Sequence, residues 1–504
     1  MIYIGALISI QFIALTAYWL FKKYHAQAVL LFSGLAMLTL ALLLGFDIPE
    51  LKNATGLKEF DLFKVIQEIF SEKGAGVGLM IMTIGGFVAY MKHIKASDAL
   101  VYVSMQPLSI FRKYPYLAAS LVIPIGQLLF ICTPSATGLG LLLVASIYPV
   151  LVSLGVSKLS AVSVISACTV FDMGPASANT ARASELVGMN NVMYFIEHQM
   201  PLTIPMTILL MVVYYFSNRY YDRKDALHKQ PEEPKREDFK VDVPLIYAIL
   251  PVLPLILLIV FSKYIQLFNF SVELDTTTAM FMSFFIAIIF ELIRQKNLKN
   301  VFASIKTFWD GMGKVFASVI TLIVAAEVFS RGLISLGFID SLVMLSQHIG
   351  FSGAAIAILM TLLIFAASML MGSGNASFFS FGPLVPSIAT KVGLDGVNMI
   401  LPMQLASSMG RAASPIAGVI IAISEIAGVS SFDLARRNLI PLSVTMTCFS
   451  NFFTVLSLVT VKLSYCKSYC SIFSSNSDFF SGLFPKSLLP ISSISKDLLS
   501  TYSF

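Results

Sequence analysis

An all-α polytopic membrane protein, made of two inverted structural repeats with discontinuous helices and re-entrant hairpins, is the fold that three features of this sequence predict. The first is composition. The 504 residues are 57% hydrophobic and 12% charged, against about 25% charged in a typical globular chain, and mean hydropathy is +0.83. A water-soluble core cannot hide that much apolar surface. The second is spacing. Spanning helices need ~20 mostly apolar residues, and such stretches begin near residues 2, 26, 76, 116, 138, 160, 200, 244, 276, 315, 352, 397 and 438. The third is repetition: the same order of parts occurs on both sides of one polar segment.

The first run, IYIGALISIQFIALTAYWLF, has no basic residue before it and KKYH after it. A cleaved signal peptide has a basic start and a short apolar core, so this run reads as a retained helix with its amino end outside. The polar segment 218–243 carries proline and alternating charge. It reads as a cytoplasmic linker between a first transmembrane repeat, 1–217, and a second, 244–462. Each half opens with two long apolar helices and then an amphipathic piece, DLFKVIQEIF at 61–70 and LKNVFASIKTFW at 298–309. Two more apolar helices lead to a small-residue turn, TPSATGLG at 133–140 and MGSGNASF at 371–378. A second polar break follows, MGPASANT at 173–180 and MGRAASP at 409–415. Ser135 to Met173 is 38 residues and Ser373 to Met409 is 36. Shared order and spacing point to duplication.

Loop charge suggests that the halves are inverted. Lys22 and Lys23 follow the first helix of half one, and Lys92, Lys95, Arg112 and Lys113 follow its third. In half two, Arg294, Lys296 and Lys299 follow the second helix, and 332–351 has no lysine or arginine. Opposite loops are therefore basic, as inverted topology requires. The Ser-rich tail 463–504 has no clean apolar span and is expected to be poorly ordered.

The net charge of +6 sits in loops between apolar runs, so the partner it implies is the lipid bilayer and not nucleic acid. Cys132, Cys168, Cys448, Cys466 and Cys470 are scattered, without the paired spacing of a zinc site. No H-E-x-x-H motif or other catalytic constellation is present. An enzyme, a metal and a cofactor are not expected. A channel is usually a ring of like segments around a pore, whereas this chain is duplicated two-fold.

The chemistry lies in the breaks. Backbone interruptions at membrane depth survive only where protein or a water-filled cavity satisfies them. Pro415 has no N–H for the carbonyl of Arg411, and Pro175 has none for that of Phe171, so discontinuous helices with open ends are expected at both places. Such ends bind anions at N-termini and cations at C-termini. Arg411 is a permanent charge in an apolar region, costing at least ~2.5–3.5 kcal/mol at the bilayer centre. A guanidinium grips a carboxylate with two parallel N–H bonds, so Arg411 is expected to bind a small anionic substrate, helped by Ser407, Ser408 and Ser414. The competing reading is an ion pair with a buried acid, Glu425 or Glu327. The turns present Ser135, Thr137 and Gly138 in one half and Ser373, Gly374 and Asn375 in the other, either to a ligand or to close helix packing. The stretch FDMGPASANTARASE adds Ser177, Asn179 and Thr180 as candidate ligands and Asp172 as a candidate ion-coupling carboxylate. Arg182 either belongs to the site or pairs with Glu185 at a helix end, and Glu327 is expected to pair with Arg331 at i, i+4.

GLMIMTIGGFVAYMKHI, SATGLGLLLVASIYPV, GSGNASFFSF and QLASSMGRAASPIAGV together resemble the anaerobic C4-dicarboxylate carriers of the DcuC type, over residues 1 to about 462. The resemblance implies a multi-pass carrier of the bacterial inner membrane for succinate, fumarate or malate, exporting succinate or exchanging it for fumarate. It also implies inverted repeats, re-entrant hairpins, often a homodimer, and H⁺ or Na⁺ as coupling ion. Ser135, Thr137, Ser177, Ser373, Asn375 and Arg411 fall on matching motif positions. Two departures stand out: Asn179 occupies a place where an acidic residue is expected, and the Ser-rich tail has no counterpart. The alternative within the same fold is a carrier of another small organic anion or an amino acid, since one arginine suits a monocarboxylate as well.

Overall fold

A computed structural model describes residues 2–106, 114–226, 242–262, 274–349 and 353–448, and every regular element among them is helical. The first half contains α1 (Ile2–Phe21), α2 (Ala26–Leu43), α3 (Lys58–Lys73), α4 (Leu79–His93), α5 (Ala96–Met105) and α6 (Pro115–Cys132). The shorter α7 (Ala136–Ser146), α8 (Tyr148–Ser153), α9 (Lys158–Ala167), α10 (Ala178–Leu186) and α11 (Asn191–Tyr194) come next, and α12 (Met200–Ala226) closes the half. The second half contains α13 (Leu253–Val260), α14 (Thr276–Gln295), α15 (Leu298–Ser304), α16 (Lys306–Val315), α17 (Thr321–Ser335), α18 (Phe338–Ile349) and α19 (Gly353–Met371). It ends with α20 (Gly374–Phe381), α21 (Val385–Val392), α22 (Gly396–Ala412), α23 (Gly418–Ala427) and α24 (Ser431–Cys448).

Among the described residues, seven helical stretches are long and apolar enough to cross a membrane. The pair α23 and α24, bent by 118°, makes an eighth if taken as one span. The spans expected near 138, 160 and 397 turn out shorter: α7, α9 and α22 have 11, 10 and 17 residues. Each abuts a backbone break, so these are half-helices.

The two amphipathic pieces lead into long helices. α3 passes into α4 through a wide π-turn, Gly74–Gly78, and α16 passes into α17 through another, Phe316–Ile320. Such turns are rare and gather at functional sites. Leu62, Val65 and Ile69 of α3 share one helix face, because they are three and four residues apart. They are buried against Leu38 of α2 and Val324 and Val328 of α17. Acids in the first turn of α3 (Glu59, Asp61) and Lys73 in its last match the helix dipole.

Two close crossings make the frame. α2 meets α17 at Gly34, where a Cβ would lie 2.6 Å from the backbone nitrogen of Phe329. α4 meets α16 at Gly311, where a Cβ would lie 3.0 Å from the carbonyl oxygen of Gly85. Lipid supplies no hydrophobic force between helices, so backbone contact through small residues supplies the packing. Beside the second crossing, Phe284 stacks on Phe308 with ring centroids 4.1 Å apart.

α12 continues past Asn218 to Ala226, so the start of the segment expected as linker is helical. Its polar end is pinned: Asp222 accepts hydrogen bonds from Ser157 Oγ at 2.7 Å, Ser160 Oγ at 2.6 Å and Arg437 Nη1 at 2.9 Å. The rest of that linker, 227–241, and the tail 463–504 lie outside the described residues.

Candidate functional site

The breaks fall where Gly, Ser and Pro cluster, with one exception. α22 stops at Ala412 and α23 starts at Gly418, around Pro415 as expected. The carbonyl of Arg411 is not left open, however. It accepts the N–H of Ser414 at 3.1 Å, a tighter last turn that satisfies it. Gly410 lets α22 lie against α19: a Cβ there would be 2.3 Å from the carbonyl oxygen of Phe365. Between α19 and α20 the chain turns at Gly372, φ +68°, a left-handed conformation that glycine adopts without strain. In half one the helix stops at Ala167, well before Pro175, and 168–177 runs without helix.

The interruptions around Gly372 and Pro415 meet the start of α7. A Cβ on Gly372 would lie 3.0 Å from the carbonyl oxygen of Ile416, and one on Gly418 would lie 3.9 Å from Thr137 Oγ1. The amino ends of α7, α20 and α23, with Arg411, thus border one cavity of about 310 Å³. Its wall includes Thr137, Ser373, Gly374, Asn375 and Gly418, and is completed by Ser318, Val319 and Leu322 from the π-turn and first turn of α17. The first turn of an α-helix holds N–H groups without intrahelical partners. Ser135 accepts one, from Gly138 N at 3.2 Å, and Ser373 accepts one, from Ala376 N at 3.2 Å. α23 has no side-chain cap. The remaining N–H groups and three positive dipole ends make the cavity favourable for an anion.

Arg411 sits in the last turn of α22, where the negative end of the helix dipole favours a cation. It is 9% exposed. Nη2 donates to the carbonyl oxygen of Thr169 at 2.6 Å, in the unwound segment of half one. Nη1 lies 3.8 Å from Asp172 Oδ2, too far for a hydrogen bond, and Nε has no hydrogen-bond partner. The nearest carboxylate thus balances the charge of Arg411 without clasping it, and donor capacity remains for a ligand. Phe130 backs the guanidinium, its ring centroid 5.9 Å away.

The structure brings Thr137, Ser373, Gly374, Asn375 and Arg411 together on the cavity wall, with Ser135 and Gly138 paired behind Thr137 as the cap of α7. The other candidates do not reach that wall. Ser177 caps α10, accepting from the N–H groups of Asn179 and Thr180 at 3.1 and 3.3 Å, and donates to Asp172 at 2.6 Å. Asn179 Nδ2 donates to Asp172 at 3.2 Å, and Thr180 is bonded to Gln199 and Gln404. Ser407 donates to Gln404 O at 2.7 Å within its own helix. Ser414 is fully buried beside the break, its hydroxyl without a partner. Asp172 is buried under Arg411.

The unwound segment of half one is stitched by residues that carried no signal in the sequence. Gln404 Nε2 donates to the carbonyl of Asp172 at 2.9 Å, and Gln199 Oε1 accepts from Gly174 N at 3.0 Å. Asn191 Nδ2 donates to the carbonyl of Pro175 at 2.7 Å. These amides supply the partners that backbone in a dry interior must find.

Glu327 does not pair with Arg331. It lies 2.5 Å from Arg182 Nη2, and Arg182 Nη1 holds Glu185. Glu185 also takes Lys73 at 2.9 Å. This ion cluster joins α3, α10 and α17. Glu327 is therefore engaged elsewhere and is not the counterion of Arg411.

A helical bundle of membrane spans whose broken helices meet at a cavity lined by polar groups is the architecture of a membrane transporter. A sequence model of the C4-dicarboxylate anaerobic carriers matches residues 4–459. The chain belongs to that family. It is a transporter, not an enzyme, and a multi-pass protein of the bacterial inner membrane. The probable anaerobic C4-dicarboxylate transporter DcuC of Vibrio cholerae is 33% identical over 426 residues, 84% of this chain and 92% of that protein. The anaerobic C4-dicarboxylate transporter DcuC of Escherichia coli K12 is 30% identical over 443 residues, 88% of this chain and 94% of that protein. Among solved structures, Neisseria gonorrhoeae MtrF, described within a class of antimetabolite efflux pumps, aligns with a TM-score of 0.59 at 11% identity, over 87% of this chain and 96% of that one. The YdaH transporter of Alcanivorax borkumensis aligns with a TM-score of 0.56 at 13% identity, over 86% and 98%. The last two likenesses are of fold alone.

Proposed function

We propose that this protein carries C4-dicarboxylates such as succinate, fumarate and malate by alternating access. The observation that supports this most is one cavity bordered by Arg411 and three helix amino ends. In this reading Arg411 takes one carboxylate through its uncommitted N–H groups. The first-turn N–H groups of α7, α20 and α23, with Thr137 and Asn375, take the other. The names of the Vibrio cholerae and Escherichia coli relatives, both given as anaerobic C4-dicarboxylate transporters, point to the same substrate class. Residues 1–217 and 244–462 act as inverted repeats, which carry the site between the two faces of the membrane.

A dianion crossing alone works against about 2.3 kcal/mol per charge per 100 mV. Exchange of two dicarboxylates cancels this, and coupled H⁺ or Na⁺ reduces it. In this reading Asp172 serves the coupling, since it lies 3.8 Å from Arg411 and balances its charge. Radiolabelled succinate counterflow in proteoliposomes tests the substrate. Counterflow with succinate or fumarate inside is expected. Folded protein that shows none, or that is competed equally by monocarboxylates and amino acids, defeats the dicarboxylate reading. Arg411→Ala should abolish succinate saturation, and a normal affinity in that variant removes Arg411 from the site.

A further inference from the structure

Asn438 lies on α24 and is fully buried. It lies 26 residues beyond Ala412, yet it touches the ends of both broken helices. Its Nδ2 donates to Ser166 Oγ at 2.8 Å, in the last turn of α9 before the unwound segment of half one. The same nitrogen donates at 2.9 Å to the carbonyl of Ala412, the last residue of α22 and the neighbour of Arg411. Its Oδ1 accepts from Ser163 Oγ at 3.1 Å and from Tyr214 OH, on α12, at 3.2 Å. Both donors and both acceptor positions of the amide are used. The carbonyl of Ala412 can only accept, so it fixes which way the amide points.

The consequence concerns Arg411. A helix end leaves carbonyls without partners, and that of Ala412 is one. Asn438 closes it and ties it to α9. Three residues beyond Ser166 lies Thr169, whose carbonyl receives Arg411 Nη2. One amide thus sets the distance between the backbone that carries the guanidinium and the backbone that holds it.

We infer that Asn438 is the positioning residue for Arg411, and that it governs affinity for the substrate anion through that arginine without touching the substrate. The inference rests on the reading of Arg411 as the substrate anchor. Asn438→Leu keeps a similar shape and removes every hydrogen bond. In succinate counterflow with proteoliposomes, KM should rise about tenfold, the equivalent of one net hydrogen bond, while the maximal rate stays within about twofold. The unfolding midpoint of the substrate-free protein in detergent reports on general damage. Arg411→Lys and the double variant complete a cycle. If Asn438 acts through Arg411, Asn438→Leu adds less than about twofold in the Arg411→Lys background, since coupled residues are non-additive.

An unchanged KM in folded Asn438→Leu overturns the inference. So does the same tenfold rise in both backgrounds, which makes Asn438 independent of Arg411. A normal KM in Arg411→Lys together with Arg411→Ala overturns the anchor reading itself and the inference with it. If Asn438→Leu does not fold, Tyr214→Phe removes one donor that holds the amide. It should raise KM about threefold, again only while Arg411 is present, and an unchanged KM there overturns the inference.

Discussion

Substituting Glu327 by Gln tests how the bundle holds its buried charges. Arg182 is 0% exposed. Its Nη1 meets Glu185, its Nη2 meets Glu327 at 2.5 Å, and Glu185 meets Lys73 at 2.9 Å. Lys73 also meets Glu72 at 2.8 Å, so two positive charges face three negative ones in these five side chains. Gln is nearly isosteric with Glu, so the change removes charge and almost no volume. It leaves the buried Arg182 guanidinium with one carboxylate, Glu185, which it shares with Lys73. Breaking a buried pair by deleting one partner costs ~3–5 kcal/mol. Glu185 remains and the Gln carbonyl still accepts from Nη2, so the expected loss is at the lower end, about 3 kcal/mol. Thermal unfolding of the purified protein in detergent measures it. Arg182→Gln with Glu327→Gln removes both charges of the pair. This double variant should be more stable than Glu327→Gln alone, because no half-paired buried guanidinium is left. Wild-type stability in Glu327→Gln, or a double variant that loses the sum of both single losses, would refute the account of the cluster as a mutually dependent unit.

Gly410→Ala places a methyl 2.3 Å from the carbonyl oxygen of Phe365, so α19 and α22 must part. Stability should fall by about 1–3 kcal/mol, read as loss of monodisperse protein on size exclusion, and a normally folded, active variant contradicts the close contact. Asp172→Asn keeps the shape and removes the charge. Succinate exchange should continue while uptake driven by an imposed pH or sodium gradient falls to the exchange background; unaltered gradient-driven uptake takes Asp172 out of coupling. Asn375→Ala should raise KM for succinate about tenfold at unchanged stability. Ser177→Ala, which removes a cap behind the wall, should instead lower stability by about 1 kcal/mol. Saturation kinetics and melting curves on the same two preparations separate these outcomes.

Breaks with a local cause were legible in the sequence. Gly372, Ser373 and Pro415 mark the interruptions of half two, and Ser135 marks the start of α7, because glycine, serine and proline act on their own backbone. The early end of α9 was not legible. Nothing in the stretch Ile165–Phe171 breaks a helix by itself. Arg411 takes the carbonyl of Thr169, Gln404 that of Asp172, and Gln199 the N–H of Gly174, and all three approach from other helices. The same limit explains the partner of Glu327. Spacing of i, i+4 pointed to Arg331 on the same helix, whereas the nearer cation, Arg182, arrives from α10 across 145 positions of sequence. Single amides such as Gln199, Gln404 and Asn438 look like ordinary polar intrusions until their partners are known. Arg411, Thr137, Ser373 and Asn375 were legible as a group because each sits at a helix end that its own neighbours create.

The π-turn at Phe316–Ile320 is also a phase setting. A π-turn accommodates one residue more than an α-helical turn, and each residue advances an α-helix by about 100°. Straightening that turn to α-geometry with every residue kept would rotate all of α17 by about that angle. Gly332, which lies near Gly34 and Met37 of α2, would swing away from its neighbour, and Leu322 would swing away from the cavity. The surplus residue keeps two distant faces of one helix in step, so the wall of the cavity and the seam of the frame cannot be adjusted separately.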